Sequence, residues 1–514
     1  MKKAGIILGV LALGIVLAVG IRTNARMGRP AGAATPKTDL TVRIDREGPY
    51  LILASDAAKA DYAGALLSAK RLHPEAEIMD FDPSRPESAR GALERQHPRY
   101  VMIVLKPEEL DALFAWAWIR LAASLDNDPF LDTRTGFITG ESPAAATAFI
   151  KRILDAAEGR LRLPGRLIDN LGPNSMAEKT AWHKTTGAFM VPCYEGRFDA
   201  ATISHGRQGF ARERLGEMDG AGFIHYGGHG YPDQVVDSLN GVYVRKLKLA
   251  PCVFFSGACY TGVTDRWFEF GARVKERRVD PKVCFCLGVL ANNAVAYLAA
   301  LHPDHGIPVY QEMERLAYSG ASLGEIMRGT HNTVILASGA SPFKPPAIKD
   351  GMISPAWGPA ETMLFGTASR VLFGDPAMIP GKAFSGPPFT VTTRESDGSL
   401  EVTASVQNTR LTSTFADTFA SDMSETGQFN ARAYLVIDLP PAWGDGARLA
   451  DLVVQADGKA IPHRLVAWAV EREGNARRLH VHVDTRSTGY LESPLQRAGA
   501  TISFRVTRVP KAIK

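Results

Sequence analysis

Cysteine is scarce in this sequence, and charge of either sign is never concentrated. The 514 residues include five cysteines and carry a net charge of +5, with no block of like charges and no basic stripe interleaved with aromatic residues. A disulfide-stapled scaffold and a nucleic-acid partner therefore have no support. The cysteines also lack the paired spacing of zinc modules, so no catalytic metal is expected. Because their number is odd, at least one thiol is unpaired within a monomer.

The N-terminus has the pattern of an export segment. Lys2 and Lys3 precede an uncharged run from Ala4 to Ile21, which fits either the core of a signal peptide or a short membrane-spanning helix. We predict a signal peptide or membrane anchor over residues 1–21, which would contact the membrane, and a linker over residues 22–46. Both alternatives place the remaining chain in a bacterial-type cell envelope, as a periplasmic, membrane-anchored or secreted protein.

Residues 47–180 alternate between apolar runs and segments of helical length. Tyr50 to Ala54 and Tyr100 to Leu105 have the composition of buried strands, and Ser142-Pro143 opens a helix with serine as its cap. Near-continuous apolar strands that alternate with helices are typical of a parallel sheet covered on both faces. The sequence therefore predicts an N-terminal α/β subdomain over this range.

A second α/β subdomain is predicted over residues 181–383, and the two subdomains can form one continuous sheet. Arg197 to Met218 is predicted to be largely helical, and the apolar run from Val283 to Leu290 to be a strand. Helices are also expected from Val309 to Tyr318 and from Ser322 to Val334. The subdomain is expected to end shortly after a closing Gly-Asp-Pro motif.

Two cysteines, Cys284 and Cys286, lie in the predicted strand of the second subdomain. Residues two apart share one face of a strand, so both are most simply buried small side chains. The alternative is a metal site that they form together with Cys252 or His225.

Residues 384–514 change to a two-residue periodicity. Apolar and polar side chains alternate, as from Leu479 to Val483, and Asp457-Gly458 is a hairpin signal. Strands without intervening helices predict a β-sandwich. On this pattern His480 and His482 lie on the polar face of their strand and are expected to be in solvent.

Asp126, Asp128 and Asp132 gather acidic side chains in one short segment. Their oxygens could hold a calcium ion, whereas turn and capping chemistry uses the same residue types and is the alternative. A structural calcium ion is thus left open, and no cofactor is required for the chemistry predicted below.

One stretch, residues 221–262, has the features of a reactive site. Phe223 to Tyr226 and Val253 to Phe255 have strand composition, and they are followed by Gly-Gly-His-Gly and, after the second, by Gly-Ala-Cys. Loops beyond the carboxyl ends of parallel strands form the ligand crevice of an open α/β sheet. His229 and Cys259 are therefore expected to face each other across this crevice.

A cysteine is a nucleophile as its thiolate, and a histidine within reach can take up the thiol proton. Gly230 allows the backbone to approach a substrate carbonyl closely, so its N–H and that of Cys259 are predicted to form an oxyanion hole. The alternative is that His229 is an ordinary loop histidine and Cys259 a buried cysteine, since cysteine is among the most buried residue types.

These motifs resemble those of the caspase-fold (clan CD) cysteine peptidases and, within that clan, of the gingipain family. The resemblance rests on Gly227 to Gly230, Gly257 to Gly262 and the closing Leu372 to Pro376, and it covers about residues 50–380. It implies a caspase/gingipain-like parallel sheet in two α/β subdomains, followed by an all-β immunoglobulin-like sandwich over residues 384–514. A weaker resemblance to CHAT-like proteins is also present around the second motif.

By the gingipain resemblance, His229 would be the general acid/base and Cys259 the nucleophile. Cys259 would form a thioester with the acyl group of a protein or peptide substrate. The loop from Ala291 to Ala294 would line the pocket for the residue before the cut. Because this loop carries no acid, it is not expected to pair with an arginine or lysine side chain.

The sequence thus predicts an exported or membrane-tethered cysteine endopeptidase with a Cys259–His229 dyad. It gives no prediction for an acidic third residue or for the oligomeric state. The alternative, from another class of protein, is a catalytically silent scaffold whose caspase-like domain and β-sandwich serve adhesion or cell-envelope assembly.

Overall fold

The described residues of the computed structural model all lie in one compact unit, residues 36–514. The predicted export segment and residues 22–40 of the predicted linker lie outside the described residues. None of the described helices is long and apolar enough to cross a membrane. The described ranges are 41–164, 167–169, 200–202, 218–226, 230–235, 239–269, 275–303, 320–337, 348–349, 352–353, 365–380, 389–406, 428–443, 447–488 and 499–508.

The α/β part is built from short strands and intervening helices. Its strands in chain order are β1 (Arg43–Ile44), β2 (Tyr50–Ala54), β3 (Glu77–Asp80), β4 (Tyr100–Val104), β5 (Arg134–Ile138), β6 (Leu167–Asp169), β7 (Ala200–Thr202), β8 (Phe223–Tyr226), β9 (Gly230–Tyr231), β10 (Gln234–Val235), β11 (Leu239–Asn240), β12 (Cys252–Ser256), β13 (Arg266–Glu269), β14 (Lys275–Arg278), β15 (Ala294–Ala300), β16 (Ile348–Lys349), β17 (Met352–Ile353), β18 (Arg370–Phe373) and β19 (Met378–Ile379). Its helices are α1 (Asp56–Asp61), α2 (Ala63–Leu72), α3 (Arg90–Gln96), α4 (Ala112–Ala122), α5 (Pro143–Ala157), α6 (Gly241–Val244), α7 (Phe285–Ala291) and α8 (Leu323–Ala337).

A single ten-stranded sheet runs through both predicted α/β subdomains, in the order β3-β2-β4-β5-β18-β15-β12-β8-β6-β7. β2 and β4 are buried along their whole length, as expected for a sheet covered on both faces. Strand β18 connects the two halves: it pairs antiparallel with β15 and meets β5 where Phe373 lies opposite Phe137. The prediction of one continuous, mainly parallel sheet is confirmed.

The carboxyl ends of strands from both halves lie at one edge of this sheet. The hydroxyl of Thr264, beyond the end of β12, donates a 2.7 Å hydrogen bond to the carbonyl of Pro107, beyond the end of β4. At the opposite edge, the closing motif is held by Asp375, which accepts hydrogen bonds from Tyr50 at 2.7 Å and binds His73 at 2.9 Å. Burial alone would raise the pKa of fully buried Asp375, but the charge and hydrogen bond of His73, with the hydrogen bond from Tyr50, outweigh burial and hold this pKa below its usual value.

One prediction of secondary structure in the second subdomain was wrong. The run from Val283 to Leu290 is not a strand: it contains helix α7, and the strand is the following segment, β15. Both segments are short and wholly apolar, so periodicity cannot distinguish them. Within the range predicted as largely helical from Arg197 to Met218, Ala200–Thr202 is strand β7 at the sheet edge, paired with β6, and most of the remaining range lies outside the described residues. The helix predicted from Val309 to Tyr318 lies outside the described residues.

The C-terminal region consists of antiparallel strands, as the two-residue periodicity predicted. Two sheets, with strand orders β20-β21-β27-β23-β24 and β22-β26-β25, share one hydrophobic core in which Val402 and Phe504 of the first meet Leu435 and Val481 of the second. An immunoglobulin-like topology for them stays a prediction. The strands are β20 (Phe389–Ser396), β21 (Ser399–Val406), β22 (Gln428–Asp438), β23 (Ala447–Ala456), β24 (Lys459–Ala460), β25 (His463–Glu473), β26 (Ala476–Thr488) and β27 (Thr501–Arg508).

His480 and His482, predicted to be in solvent, are buried at 4% and 1% exposure. The ring of His480 stacks on Phe130 of the α/β part, with ring centroids 4.3 Å apart, and its Nδ1 is 2.5 Å from the hydroxyl of Tyr434. The polar face of strand β26 is therefore a contact surface with the α/β part. Alternation in the sequence identifies the two faces of a strand but not what covers the polar one.

Buried ion pairs connect the β-region to helix α8. Arg328 of α8 is 4% exposed and pairs with Glu471 of β25, which is 2% exposed. The guanidinium of buried Arg134 contacts Glu325 at 2.5 Å and Glu473 at 2.6 Å. Arg134 and Arg328 also share Glu325 of α8, so the contact with the β-region adds a second carboxylate to each of these buried guanidinium groups.

Replacing Glu471 by alanine should destabilise the protein strongly, because buried Arg328 would keep only Glu325, a carboxylate that it shares with Arg134. We expect a loss of about 3–5 kcal/mol in the free energy of unfolding, measured by chemical denaturation. Glu401→Ala, at an exposed position of β21, is the matched control and should change it by less than about 0.5 kcal/mol. Equal effects of the two substitutions would show that the buried pair does not secure the interface.

The segment with Asp126, Asp128 and Asp132 uses its carboxylates mainly in turn and interface contacts. Asp126 accepts a hydrogen bond from the N–H of Asp128, and Asp128 accepts from the N–H groups of Phe130 and Arg472. Among the described residues, no group of three or more His, Cys, Asp or Glu side chains could hold a metal ion. A structural calcium ion at this turn stays a prediction.

Burial, together with the charges of Asp126 and Asp128, raises the pKa of Asp132 to about 8. In the unfolded chain this carboxyl titrates near a pKa of about 3.9. The folded state therefore holds a proton that the unfolded state has already released. It follows that the contribution of Asp132 to stability is present below about pH 4 and is lost as the pH rises towards 8.

Asp132→Asn should remove this pH dependence, since the amide carries no charge. We expect the variant to gain roughly 1–3 kcal/mol of stability at pH 8 and little at pH 4, measured by thermal unfolding across that range. Asp397→Asn, at an exposed turn position, should follow the wild type. A wild-type melting temperature that calcium chloride raises at pH 8, with a variant that does not respond, would instead indicate bound calcium at an ionised Asp132.

Candidate functional site

Strands β8 and β12 lie side by side and parallel in the central sheet. Val253 is paired with Phe223, and Ser256 with Tyr226, at the carboxyl ends of the two strands. The ladder continues one residue further, because the N–H of Gly257 donates a 3.0 Å hydrogen bond to the carbonyl of Tyr226. The two glycine-containing segments that follow these strands therefore start next to each other, as the sequence predicted.

Gly230 and Cys259 are in direct contact. A Cβ atom added to Gly230 would lie 2.8 Å from the Cβ of Ala258 and 3.1 Å from the backbone nitrogen of Cys259, and closer still to the carbonyl oxygen of Cys259. The space at residue 230 thus admits only glycine. The predicted reason for this glycine was access of a substrate carbonyl, and the contact with the Cys259 backbone is a second reason. The other residues of the first motif, Gly227, Gly228 and His229, lie outside the described residues.

Cys259 differs from the other described cysteines in its surroundings. It is half-buried on a turn, whereas Cys252, Cys284 and Cys286 are fully buried free thiols. Burial raises the pKa of Cys252 and of Cys284 to about 12 and that of Cys286 well above its usual value. These three thiols are therefore poor nucleophiles at neutral pH. Cys193 lies outside the described residues.

Tyr260, directly after Cys259, has a left-handed backbone conformation with φ of +59°. This conformation costs a residue other than glycine about 1–3 kcal/mol. Its side chain is held by edge-on contacts with Trp267 and His302, with ring centroids 4.9 Å and 5.8 Å apart. Packing thus supports a strained turn at the cysteine, which sequence inspection did not predict because a tyrosine gives no local signal for positive φ.

Arg370 of β18 is a second residue that the sequence did not point to. It is fully buried, and its Nη1 donates a 2.8 Å hydrogen bond to the carbonyl of Ser256, at the end of β12. Its guanidinium lies 5.2 Å from the ring centroid of Phe255. The carboxyl end of β12, which leads to the Cys259 turn, is therefore held by a side chain of β18, across the intervening strand β15.

The segment predicted to line a specificity pocket lies at the other edge of the sheet. Asn292 and Asn293 precede β15, and their side-chain amides donate to backbone carbonyls of the segment that leads into β12. The carboxyl end of β15 is the one beside the cysteine turn, since the N–H of Gly262 donates a 2.8 Å hydrogen bond to Ala300. The predicted pocket position was wrong because the sequence analysis took the residues of helix α7 for the strand. The absence of an acid in residues 291–294 therefore says nothing about the substrate side chain. The described residues that follow the carboxyl end of β15, beside the cysteine turn, include one polar side chain, that of His302.

A cleft of about 920 Å³ opens at the same edge of the sheet, beyond β2, β3 and β4. Arg266, in the hairpin that follows the cysteine turn, crosses to it and pairs with Asp111, with its Nε at 2.8 Å from the carboxylate. The segment downstream of Cys259 is thereby fastened to the N-terminal half of the sheet. The charged residues that line the cleft are mainly acidic: Asp56, Asp80, Asp82, Glu108, Glu109 and Asp111, beside Arg85 and Arg266.

Comparison with solved structures places gingipains among the structural neighbours of this chain, as the motifs predicted. A protease shares 12% identity, with 90% of this chain and 98% of that chain covered and a TM-score of 0.45. The Arg-specific cysteine proteinase gingipain R (RgpB) shares 11% identity, covering 90% and 96%, with a TM-score of 0.45. The complex of Porphyromonas gingivalis RgpB pro- and mature domains shares 10% identity, covering 89% and 96%, also at 0.45. No family model matches the chain, and no curated protein matches it.

Gly230→Ala should displace the cysteine turn, because the added methyl group has no room beside the backbone of Cys259. We expect the rate at which iodoacetamide modifies Cys259 to change about ten-fold or more, followed by mass spectrometry of each cysteine. Gly91→Ala, at an exposed helical position where the nearest atom belongs to a flexible arginine, is the control and should leave that rate unchanged. An unaltered rate in Gly230→Ala would mean that the two segments are independent.

Proposed function

We propose that this protein is an exported cysteine endopeptidase in which Cys259 is the nucleophile and His229 the general acid/base. The observation that carries the proposal is the contact between Gly230 and the backbone of Cys259. His229 directly precedes Gly230 in the chain, and its place beside Cys259 is part of this proposal. A histidine beside a partly exposed cysteine is the pairing that activates a thiol.

The proposed reaction splits peptide hydrolysis into two steps. In the first, the Sγ of Cys259 attacks the scissile carbonyl carbon, and the proton held by His229 passes to the departing amine. The result is a thioester between Cys259 and the acyl part of the substrate. In the second step, His229 takes a proton from water, the resulting hydroxide attacks the thioester carbon, and the C–S bond breaks to release the carboxylic acid while His229 returns the proton to the sulfur of Cys259.

Two backbone N–H groups, of Gly230 and Cys259, are proposed to stabilise the oxyanion formed in each step. The proposal rests on the short distance between the two residues, because Gly230 packs against both the backbone nitrogen and the carbonyl oxygen of Cys259. Donors of this kind are worth about 3 kcal/mol each when they point at the developing negative charge. The contacts that fix Tyr260 and Ser256 favour this role, since a donor contributes most when it needs no rearrangement.

The protein is proposed to act on protein or peptide substrates outside the cytoplasm, either anchored through residues 1–21 or released from them. The immunoglobulin-like β-region is proposed to stabilise the α/β part through the buried pairs at α8, rather than to supply reactive groups. A catalytically silent scaffold remains the alternative, and the reactivity of Cys259 separates the two functions.

Cys259→Ala and His229→Ala should each lower hydrolysis of a peptide library by about 10³-fold or more, with a melting temperature close to that of the wild type. The library also reports the side-chain preference around the cleaved bond. Cys252→Ala, which alters a fully buried thiol in β12, the strand that leads to the cysteine turn, is the control and should keep the activity of its folded fraction. An activity that survives Cys259→Ala would exclude the proposed nucleophile. Wild-type protein with no hydrolysis, in which all cysteines react equally slowly with iodoacetamide, would favour the scaffold.

A further inference from the structure

Three buried hydroxyl groups surround the turn that carries Cys259. The Oγ of Ser256 and the Oγ1 of Thr261 lie 2.6 Å apart, and Thr261 also donates a 2.9 Å hydrogen bond to the carbonyl of Ala258. Tyr297, from the neighbouring strand β15, donates a 2.8 Å hydrogen bond to the carbonyl of Thr261. All three hydroxyl-bearing residues have no solvent exposure.

The directions of these hydrogen bonds follow from the number of protons available. Because Thr261 gives its only hydroxyl proton to Ala258, the proton between the two short side chains must come from Ser256. The Oγ of Ser256 in turn accepts a 3.3 Å hydrogen bond from the N–H of Ala258. Ser256 and Thr261 thus each donate one hydrogen bond and accept one. Together they hold both the N–H and the carbonyl of Ala258, the residue before Cys259.

The hydrogen bonds enclose Cys259 and Tyr260 from both sides. Ala258 is fixed on the N-terminal side, and Thr261 is fixed on the C-terminal side through both its side chain and its carbonyl. Between these two anchors the chain makes the left-handed turn at Tyr260. A strained turn keeps a single conformation only where its flanks are over-determined, and these contacts meet that requirement.

We propose that the hydroxyl groups of Ser256, Thr261 and Tyr297 are positioning groups that hold Cys259 in its reactive orientation. The inference rests on the peptidase function proposed above and extends it to residues that do not touch the substrate. A purely structural role would predict effects on stability alone. A positioning role predicts effects on the reactivity of Cys259 that are larger than the effects on stability.

Thr261 permits the sharpest test, because two substitutions separate its hydroxyl from its shape. Thr261→Val keeps the volume and removes the hydroxyl, whereas Thr261→Ser keeps the hydroxyl and removes a methyl group. We expect Thr261→Val to lower kcat for peptide hydrolysis about 10- to 100-fold with KM changed by less than about two-fold. Thr261→Ser should retain most of the activity even where its melting temperature falls as much as that of Thr261→Val.

Tyr297→Phe tests the contact from β15 and has a matched control elsewhere in the chain. Tyr62 is also a buried tyrosine whose hydroxyl donates a 2.7 Å hydrogen bond to a backbone carbonyl, that of Gly140. Tyr62→Phe and Tyr297→Phe should therefore cost similar stability. We expect only Tyr297→Phe to lower kcat, by about ten-fold.

Iodoacetamide modification of Cys259 keeps this test independent of the proposed function. The rate and its pH dependence, measured by mass spectrometry, should change in Thr261→Val and Tyr297→Phe and should not change in Tyr62→Phe. If the wild type hydrolyses no peptide, the peptidase proposal fails, and these rates still decide the positioning role. Rates in Thr261→Val and Tyr297→Phe that equal the wild-type rate, with only the melting temperature lowered, would overturn it.

Discussion

The close approach of Gly230 to the backbone of Cys259 is the constraint on which the candidate site depends. It exists because β8 and β12 are parallel neighbours whose carboxyl ends are in register. Two segments that are far apart in sequence thereby leave the sheet at the same point. A side chain at residue 230 would separate them, since its Cβ would overlap the backbone of Cys259. The glycine is thus a requirement of packing between two loops as well as of the chemistry proposed there.

The rest of the fold fixes the cysteine turn from several directions. Arg370 holds the end of β12 from β18, and Tyr297 holds the far side of the turn from β15. His331 of α8 contacts the carbonyl of Arg370 at 3.2 Å, and Arg328 of the same helix pairs with Glu471 of the β-region. A continuous set of contacts therefore extends from the β-region to the candidate nucleophile, which gives the C-terminal strands a structural role in the site.

Much of the fold could be predicted from local pattern, and the failures have physical causes. The buried strands β2 and β4 are apolar throughout, and the serine cap of α5 is a local hydrogen bond, so both are visible in sequence. The exchange of α7 and β15 arose because two short apolar runs carry no periodicity, and it misplaced the predicted pocket. The burial of His480 depends on Phe130, which is distant in sequence. Tyr297 was missed for the same reason, since its partner Thr261 lies in a turn that is distant in sequence.

The pH dependence of Cys259 alkylation, in the wild type and in His229→Ala, tests the central claim most directly. If His229 lies beside the cysteine turn, wild-type Cys259 should react with iodoacetamide faster than Cys252, Cys284 and Cys286 and remain reactive below pH 7. In His229→Ala its midpoint should move towards pH 8.5, near the pKa of about 8.5 of an ordinary thiol. Identical pH profiles in the two proteins would contradict the account, because the histidine would then have no influence on the thiol of Cys259.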